Sequence, residues 1–597
     1  MATYSVMDLK GLVNSKDELA KSVVQKYTTF DNQRATKVAE WKELRSYLFA
    51  TDTAHTTSAD GTVDWHNKTT LNKLCHIRDN LHANYMSSLF PNDDWLKWEG
   101  YSQDSELYEK KQVIQAYMAN KTRIGNFKDV VSKLLYDYID YGVAYADCVF
   151  VKENKTDPDS GDKIAGFVGP KAIRISPLDI VFDITANEFQ QAPKITRSIV
   201  RIGELKAMIE NGATDEWIQE AYDKAMETRS AAVTMSSTDV TKAHGYTVDG
   251  FGNMKEHYGS GSVELLEFEG SCFDPETGDY LDDYIITVID RTRVIRKQPI
   301  PLWKRGGSKC MTTWRKRSDN LIGMGPLDNL VGMQYRIDHL ENAKADAWDL
   351  IITPAWKIKG GVREVNLYPG AEVICDNDGD IQPLTYPKEA LMVNNEIMFL
   401  MNLMEEFAGA PKQAMGIRTP GEKTAFEVQA LENAAGRIFQ QKIVQFEVDI
   451  LEPLLNNMLM LAVREMDASD VIRSIDDDYG VAVFSTITKD DITAEGKLRP
   501  IGARHFSQRA QIMQNITGAA NSPVWGKIER HISDKALAKL FEDSLQLERF
   551  SLIQDNAALF EQADAQRLAQ QLQEDVAVEQ ATPIDGSAPQ PQGGMPQ

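Results

Sequence analysis

Between Gly323 and Arg464 the chain runs through a helix, a turn-rich insertion, a second helix, a Gly/Pro loop and one long helix, and this succession constrains the fold more than any other stretch. The first helix opens at Gly325-Pro326, where proline is tolerated because a first-turn N–H has no intrahelical partner to lose. Apolar residues follow at Leu327, Leu330, Val331, Ile337, Leu340, Ala343, Ala347 and Trp348, a helical period with one lapse at Gln334. The insertion begins at Thr353-Pro354, ends near Pro387 and reads as a short β-rich excursion. A second periodic run takes in Leu391, Ile397, Leu400, Met401, Met404 and Phe407. Residues 409–421 form the loop, and Lys423 to Val463 reads as one helix that Pro453 breaks near Glu452. No intact catalytic motif interrupts this arrangement, which points to a structural part.

Charge narrows the role further. The 597 residues carry a formal net charge of −23, the wrong sign for a protein that grips duplex DNA through Lys and Arg at phosphates. An acidic chain can still guide DNA that has to slide. The apolar runs fall far short of the roughly 20 residues a bilayer span needs, and the first ten residues lack the basic start and apolar core of a signal peptide. The expectation is a chain that is cytosolic or assembles there. Five cysteines, at 75, 148, 272, 310 and 375, are odd in number and far apart, which argues for reduced thiols and against a disulfide framework or a CxxC metal site.

Before the central stretch the pattern predicts helices over residues 1–50, 68–90, 103–121 and 127–144, then strands at 145–153, 163–168 and 172–182. Asp157-Pro-Asp-Ser-Gly-Asp162 and the similar Asp274-Pro-Glu-Thr-Gly-Asp279 read as hairpin turns, the latter between strands 263–272 and 283–297. Neither has the spacing of a calcium loop. His76 and His82, six apart, do not share a helix face as metal ligands would. Helices are expected over 202–245. After the long helix come a strand at 480–490 and helices at 500–516, 525–550 and 551–578, with a disordered Pro/Gly/Gln-rich tail from Ala581.

Three clusters invite a chemical reading. Gly416-Ile-Arg-Thr-Pro-Gly-Glu-Lys-Thr424 nearly spells a phosphate loop, but Glu422 intervenes before Lys423 and a helix precedes it instead of a strand. A flexible loop leading into a helix capped by Thr424 and Glu427 fits better. Asp376-Asn-Asp-Gly-Asp380 reads as a hairpin turn at the tip of the insertion. Arg305, Lys309, Arg315, Lys316 and Arg317, interleaved with Trp303 and Trp314, form the one basic concentration. It reads either as a contact for phosphates or an acidic partner, or as a solvated loop paired with local carboxylates. On the first helix Arg336, Asp338, Glu341, Lys344 and Asp346 suit pairing between subunits, or equally within one helix. No cofactor or metal is expected.

In its order of elements the chain resembles the portal, or head-to-tail connector, proteins of tailed double-stranded DNA bacteriophages, podovirus-like forms above all. Ile175-Ser-Pro-Leu-Asp-Ile-Val-Phe-Asp183, Val263-Glu-Leu-Leu-Glu-Phe268, Tyr284-Ile-Ile-Thr-Val288 and Val294-Ile-Arg296 resemble the family's wing sheets. Gly323-Met-Gly-Pro-Leu327 resembles the start of the first stem helix, and Tyr368-Pro-Gly-Ala-Glu-Val373 the clip. Lys423-Thr-Ala-Phe-Glu-Val428 resembles the start of the long wing helix, with Phe426 in place of a small polar residue. The likeness covers roughly residues 20–545.

The resemblance implies an α+β, mostly α, fold. It places a wing at 1–322, stem helices at 323–352 and 389–408 around a clip at 353–388, and a tunnel loop at 409–422. The long wing helix and a return strand would occupy 423–489, with crown or barrel helices at 490–580. It implies a non-hydrolysing dodecameric ring at one capsid vertex of the virion, assembled in the host bacterial cytoplasm, through which double-stranded DNA is packaged and ejected. Partners would be the major capsid protein, the terminase large subunit, and adaptor, head-completion and tail proteins, with scaffolding or ejection proteins also candidates, and no membrane. Lys412, Gln413, Arg418 and Thr419 would face DNA from the tunnel loop, and Tyr368, Asp376, Asp378 and Asp380 would meet terminase or adaptor from the clip. Twelve chains at −23 each would carry −276 (12 × −23), and a channel with few phosphate contacts would let DNA slide. The alternatives are another virion component, such as an adaptor or tail protein, and a packaging NTPase.

Overall fold

The computed structural model of the chain describes residues 17–51, 66–91, 95–101, 105–156, 163–211, 217–234, 261–275, 278–300, 308–352, 356–359, 381–383, 392–408, 440–466, 469–475 and 482–500. It mixes α and β, with helix the larger share of the described residues. The chain divides into two compact units, one of residues 1–472 with 485–503 and one of 473–484 with 504–597. Of the second unit only 473–475 and 482–484 are described, as parts of a two-stranded sheet formed by Ser469–Ile475 and Ala482–Thr488. The helices expected beyond residue 500, and the tail, lie outside the described residues.

The first unit holds a two-stranded antiparallel pair, β1 (Leu96–Gly100) with Gly496–Pro500, and is built on two larger antiparallel sheets. Five strands, β4 (Ile180–Phe182), β5 (Lys194–Arg201), β6 (Ser262–Phe273), β7 (Tyr280–Ile289) and β8 (Arg293–Pro299), lie in that order. Successive side chains of a strand point to opposite faces, and β6 uses both. Leu266 and Phe268 pack under the long helix α1 (Glu18–Leu48) with Leu19, Val23, Tyr27 and Phe30. Val263 and Leu265 pack with Leu205 and Tyr222 of α5 (Ile202–Asn211) and α6 (Gln219–Thr234).

The second sheet has the order β3 (Lys163–Ile175), β2 (Val143–Thr156), β9 (Cys310–Thr313). Sequence reading breaks β3 after Val168, before Gly169-Pro170; the structure runs it through as one strand. β3 is an edge strand, and an edge is where a proline's missing donor does least harm. Thr156 pairs with Lys163, so 157–162 do connect two antiparallel strands, although the turn itself lies outside the described residues.

Helices α2 (Lys73–Leu89), α3 (Ser105–Ile124) and α4 (Phe127–Asp140) enclose the main core with residues 440–446 and α9 (Glu452–Glu465). At its centre the Trp314 indole donates to the Tyr85 hydroxyl at 3.1 Å, and the Tyr138 ring meets Phe446 edge-on at 5.3 Å. The break expected at Pro453 is a π turn at Glu447–Leu451, closed by the Glu452 N–H on the Glu447 carbonyl. Proline cannot donate to the carbonyl four residues back and its ring crowds that carbonyl; a wider turn just before it accommodates both.

The stretch leading into the next pair of helices is fixed by a glycine. A Cβ on Gly323 would collide with the Arg315 carbonyl and the Thr313 methyl, because Arg315 and Met324 bridge backbone to backbone there. Facing it, Gly142 sits at φ +70° with no room for a side chain beside Gly325. A 3-10 turn at Asp328–Leu330 then leads into α7 (Val331–Ile352), and the Gly325 N–H is held by Asp328 at 2.9 Å. The described part of the insertion is a short antiparallel pair, β10 (Trp356–Ile358) with β11 (Ile381–Pro383). The chain returns along α8 (Val393–Phe407), which packs on α7.

Candidate functional site

The helix pair α7 and α8 sorts its side chains in an unusual way. Gln334, Ile337, Asp338 and Asn342 are the buried residues of α7, and three of these four are polar. They face residues 66–74, the approach to α2. Gln334 Oε1 accepts from the Lys73 and Leu74 N–H groups at 3.0 and 3.3 Å, and Gln334 Nε2 donates to the Leu71 carbonyl at 2.8 Å. Asp338 accepts from the Leu71 N–H, the Thr70 hydroxyl and Gln334 Nε2, all at 3.0–3.1 Å. Asn342 accepts from the Thr69 N–H at 2.9 Å, and Asp346 from the Asn67 N–H at 3.0 Å. Burial raises the Asp338 carboxyl above its usual range, and the bonds from Leu71, Thr70 and Gln334 pull it part of the way back.

This polar ladder at 334, 338, 342 and 346 explains the lapse in the apolar period. Helix N-termini leave N–H groups without intrahelical partners; Gln334 satisfies two at the start of α2, and Asn72 takes the Cys75 N–H at 3.1 Å. Lys73 also pairs with the buried Glu405 of α8 at 2.5 Å, so the strap at 66–74 ties both helices to the body. Sequence reading missed Gln334 and Asn342 as partners and expected Asp346, like Asp338, to pair between subunits, although the spacing of four at 334, 338, 342 and 346 was the available signal.

The opposite sorting holds outside. Tyr335, Trp348, Leu350 and Ile352 of α7, Met392 beside α8, Met398, Phe399 and Phe407 within it, and Trp356 and Ile358 of β10 are all exposed. These are ten of the exposed large hydrophobics found among the described residues, concentrated on two helices and one short strand. Isolated apolar residues on a surface are ordinary, whereas exposed ones gathered on neighbouring elements make these elements the candidate for an interaction surface.

The other charges expected between subunits, and Asp338, take different places. Asp338 is withdrawn from that surface, being 1% exposed with its carboxylate engaged by the strap inside its own chain; this corrects the expectation, because the surrounding N–H donors stabilise it where an outward position would not. Glu341 and Lys344 pair with each other at 2.5 Å, and Lys344 also donates to Asn394 of α8 at 3.1 Å. Arg336 reaches Glu396 of α8 at 3.6 Å with both side chains largely in solvent, a geometry of little energetic weight.

The basic concentration divides too. Lys309 is 2% exposed and is no surface cation, since its ammonium lies 3.0 Å from Glu269 and 3.3 Å from Glu267. Burial works against its charge, but Glu269, Glu267 and Asp147 outweigh that and hold it above its ordinary pKa. Arg315, Lys316 and Arg317 are exposed around buried Trp314. Lys316 pairs with Asp449 at 2.8 Å, and Arg317 approaches Asp319 at 3.7 Å. Arg305 lies outside the described residues, as do Lys412, Gln413, Arg418 and Thr419 of the expected tunnel loop, Tyr368, Asp376, Asp378 and Asp380 of the expected clip, and the near-phosphate loop at 416–424.

His82 is bonded to the Ser132 hydroxyl at 2.9 Å and stacks on Tyr136, and no cluster of potential metal ligands occurs among the described residues. Cys75, Cys148, Cys272 and Cys310 form no disulfide with one another. Among the described residues no helix is long and apolar enough to cross a membrane. Neither a known protein family nor a characterised protein matches the chain.

Proposed function

We propose that the chain is a portal protein: copies of it form a ring at one capsid vertex of a tailed-phage virion, and double-stranded DNA enters and leaves through the bore. The observation that carries the reading is the helix pair, which buries a polar ladder in its own chain and leaves aromatic and aliphatic side chains in solvent. Covering such a surface is favourable, and a ring of identical copies, each meeting the next through two different faces, covers it without leaving an open end. The helix, β-pair, helix order of 331–407 and the glycine-locked start at Gly323 agree with the stem and clip that the resemblance implies.

In this role the protein performs no hydrolysis. Stem helices form the wall, the β10–β11 pair is the described part of the outer mouth, and the terminase motor and later the adaptor proteins dock there. The count of twelve comes from the resemblance. Negative-stain images of the purified full chain test the proposal: particles with a central hole and rotational symmetry support it, and monodisperse single chains or filaments contradict it.

A further inference from the structure

Residues 440–449 lay one helix face along β9 and its continuation. Lys442 donates to the Trp314 carbonyl, Gln445 to the Thr313 carbonyl at 2.5 Å, and Asp449 accepts from the Thr312 hydroxyl at 3.1 Å. This contact gathers cations around one indole. The Lys442 ammonium lies 4.9 Å from the Trp314 ring centroid and the Arg315 guanidinium 5.4 Å from it. Lys316 follows next in the chain, held by Asp449 at 2.8 Å.

We propose that Arg315, Lys316 and Lys442 form a binding site for a backbone phosphate of double-stranded DNA. Of the three cations only Lys316 pairs with a carboxylate, that of Asp449, and neither Arg315 nor Lys442 has a carboxylate partner among the described residues. Burial, and then repulsion from Arg315 and Lys316, lower the Lys442 pKa, so the three charges oppose one another in the free protein. An anion placed among them removes that repulsion. Structural needs do not call for the charge: any donor at 442 would serve the Trp314 carbonyl, and the Arg315 side chain makes no bond that the strand requires.

Phosphate fits better than carboxylate because the donors come from two elements and differ in kind. A guanidinium fork takes two oxygens of one tetrahedral group, and ammonium groups approach the remaining faces as point charges. One net-positive site on a chain of charge −23 gives few phosphate contacts per copy, which positions a duplex without holding it fast. That the phosphate belongs to DNA rests on the conduit reading above.

The test is fluorescence anisotropy of a labelled duplex of about 30 base pairs with the full chain, titrated at several salt concentrations. With one phosphate at the site, the slope of log affinity against log salt should fall by about 0.9 for Arg315→Gln with Lys316→Gln and by no more than that for Lys442→Gln, with at least about tenfold weaker binding for the double variant at low salt. An unchanged slope, or no binding by the unaltered protein, overturns the proposal. So does charge-dependent binding of a labelled poly-glutamate peptide with no response to the duplex, which assigns the site to an acidic protein segment instead. Electron microscopy of the same samples separates the two ideas. Rings with an unchanged slope defeat the phosphate site alone, and a reduced slope without rings defeats the conduit alone.

Discussion

Replacing Gln334 with leucine, a residue of similar volume, tests whether the polar ladder of α7 holds the strap at 66–74. Gln334→Leu removes two acceptor bonds, from the Lys73 and Leu74 N–H groups, and two donor bonds, to the Leu71 carbonyl and Asp338. The site is 1% exposed, so water does not replace them. Each bond contributes about 0.5–1.5 kcal/mol net, and a buried group left unsatisfied costs about 1–3 kcal/mol. Leucine recovers some apolar burial, which leaves a loss of about 3 kcal/mol. That corresponds to roughly a hundredfold in the local opening equilibrium. Amide hydrogen exchange reads this directly: protection over 68–76 should fall by about that factor, while α4 in the main core stays as it was. Protection unchanged within about threefold would refute the argument that these bonds, and not apolar packing alone, seat the strap.

Three further outcomes follow from other sites. Lys194 is buried, donates to the Phe189 and Gln190 carbonyls, and has its pKa lowered to about 8 by burial. Its folded pKa lies below the unfolded value of about 10.4, so its charged form opposes folding below pH 8 and the opposition fades as pH rises towards 10. Urea midpoints should therefore show the unaltered protein gaining about 2 kcal/mol over Lys194→Met between pH 8 and 10, and parallel pH profiles would contradict this. Gly323→Ala should destabilise by several kcal/mol, about 3 or more, because strand residues 313–315 are backbone-bonded and cannot retreat; a thermal midpoint close to that of the unaltered chain would disprove it. Met398→Glu with Phe399→Glu changes two exposed side chains and should leave the far-ultraviolet circular dichroism unaltered while abolishing large assemblies on size-exclusion chromatography.

The elements with strong periodicity were legible in the sequence. The helices α2, α4, α7 and α8 fall within a few residues of their expected ranges, and α1 takes up most of the described part of its own, because apolar spacing and tertiary packing agree there. Pro453 announced a break, but not that the chain would absorb it with a π turn. Gly169-Pro170 looked like a strand end, and only pairing to β2 shows that it lies on a sheet edge. Gln334 looked like noise in an apolar stripe; its partners lie some 260 residues earlier, and no local pattern reports a contact that distant. Lys309 read as one of five neighbouring cations, yet its fate depends on Glu267 and Glu269 of a different strand. Lys442 was invisible as a member of the basic group, since it joins Arg315 and Lys316 only through the docking of its helix on β9.

In the proposed ring, further copies of the same chain cover the exposed aromatic and aliphatic side chains of α7, α8 and β10. Mass photometry of the purified full chain at low nanomolar concentration measures this most directly. One chain has a mass of 67.0 kDa, so the predicted species is a closed assembly near 804 kDa (12 × 67.0), or a neighbouring whole-number multiple, with little between it and the single chain. A single peak at the mass of one or two chains, unchanged on raising the concentration, would contradict the account.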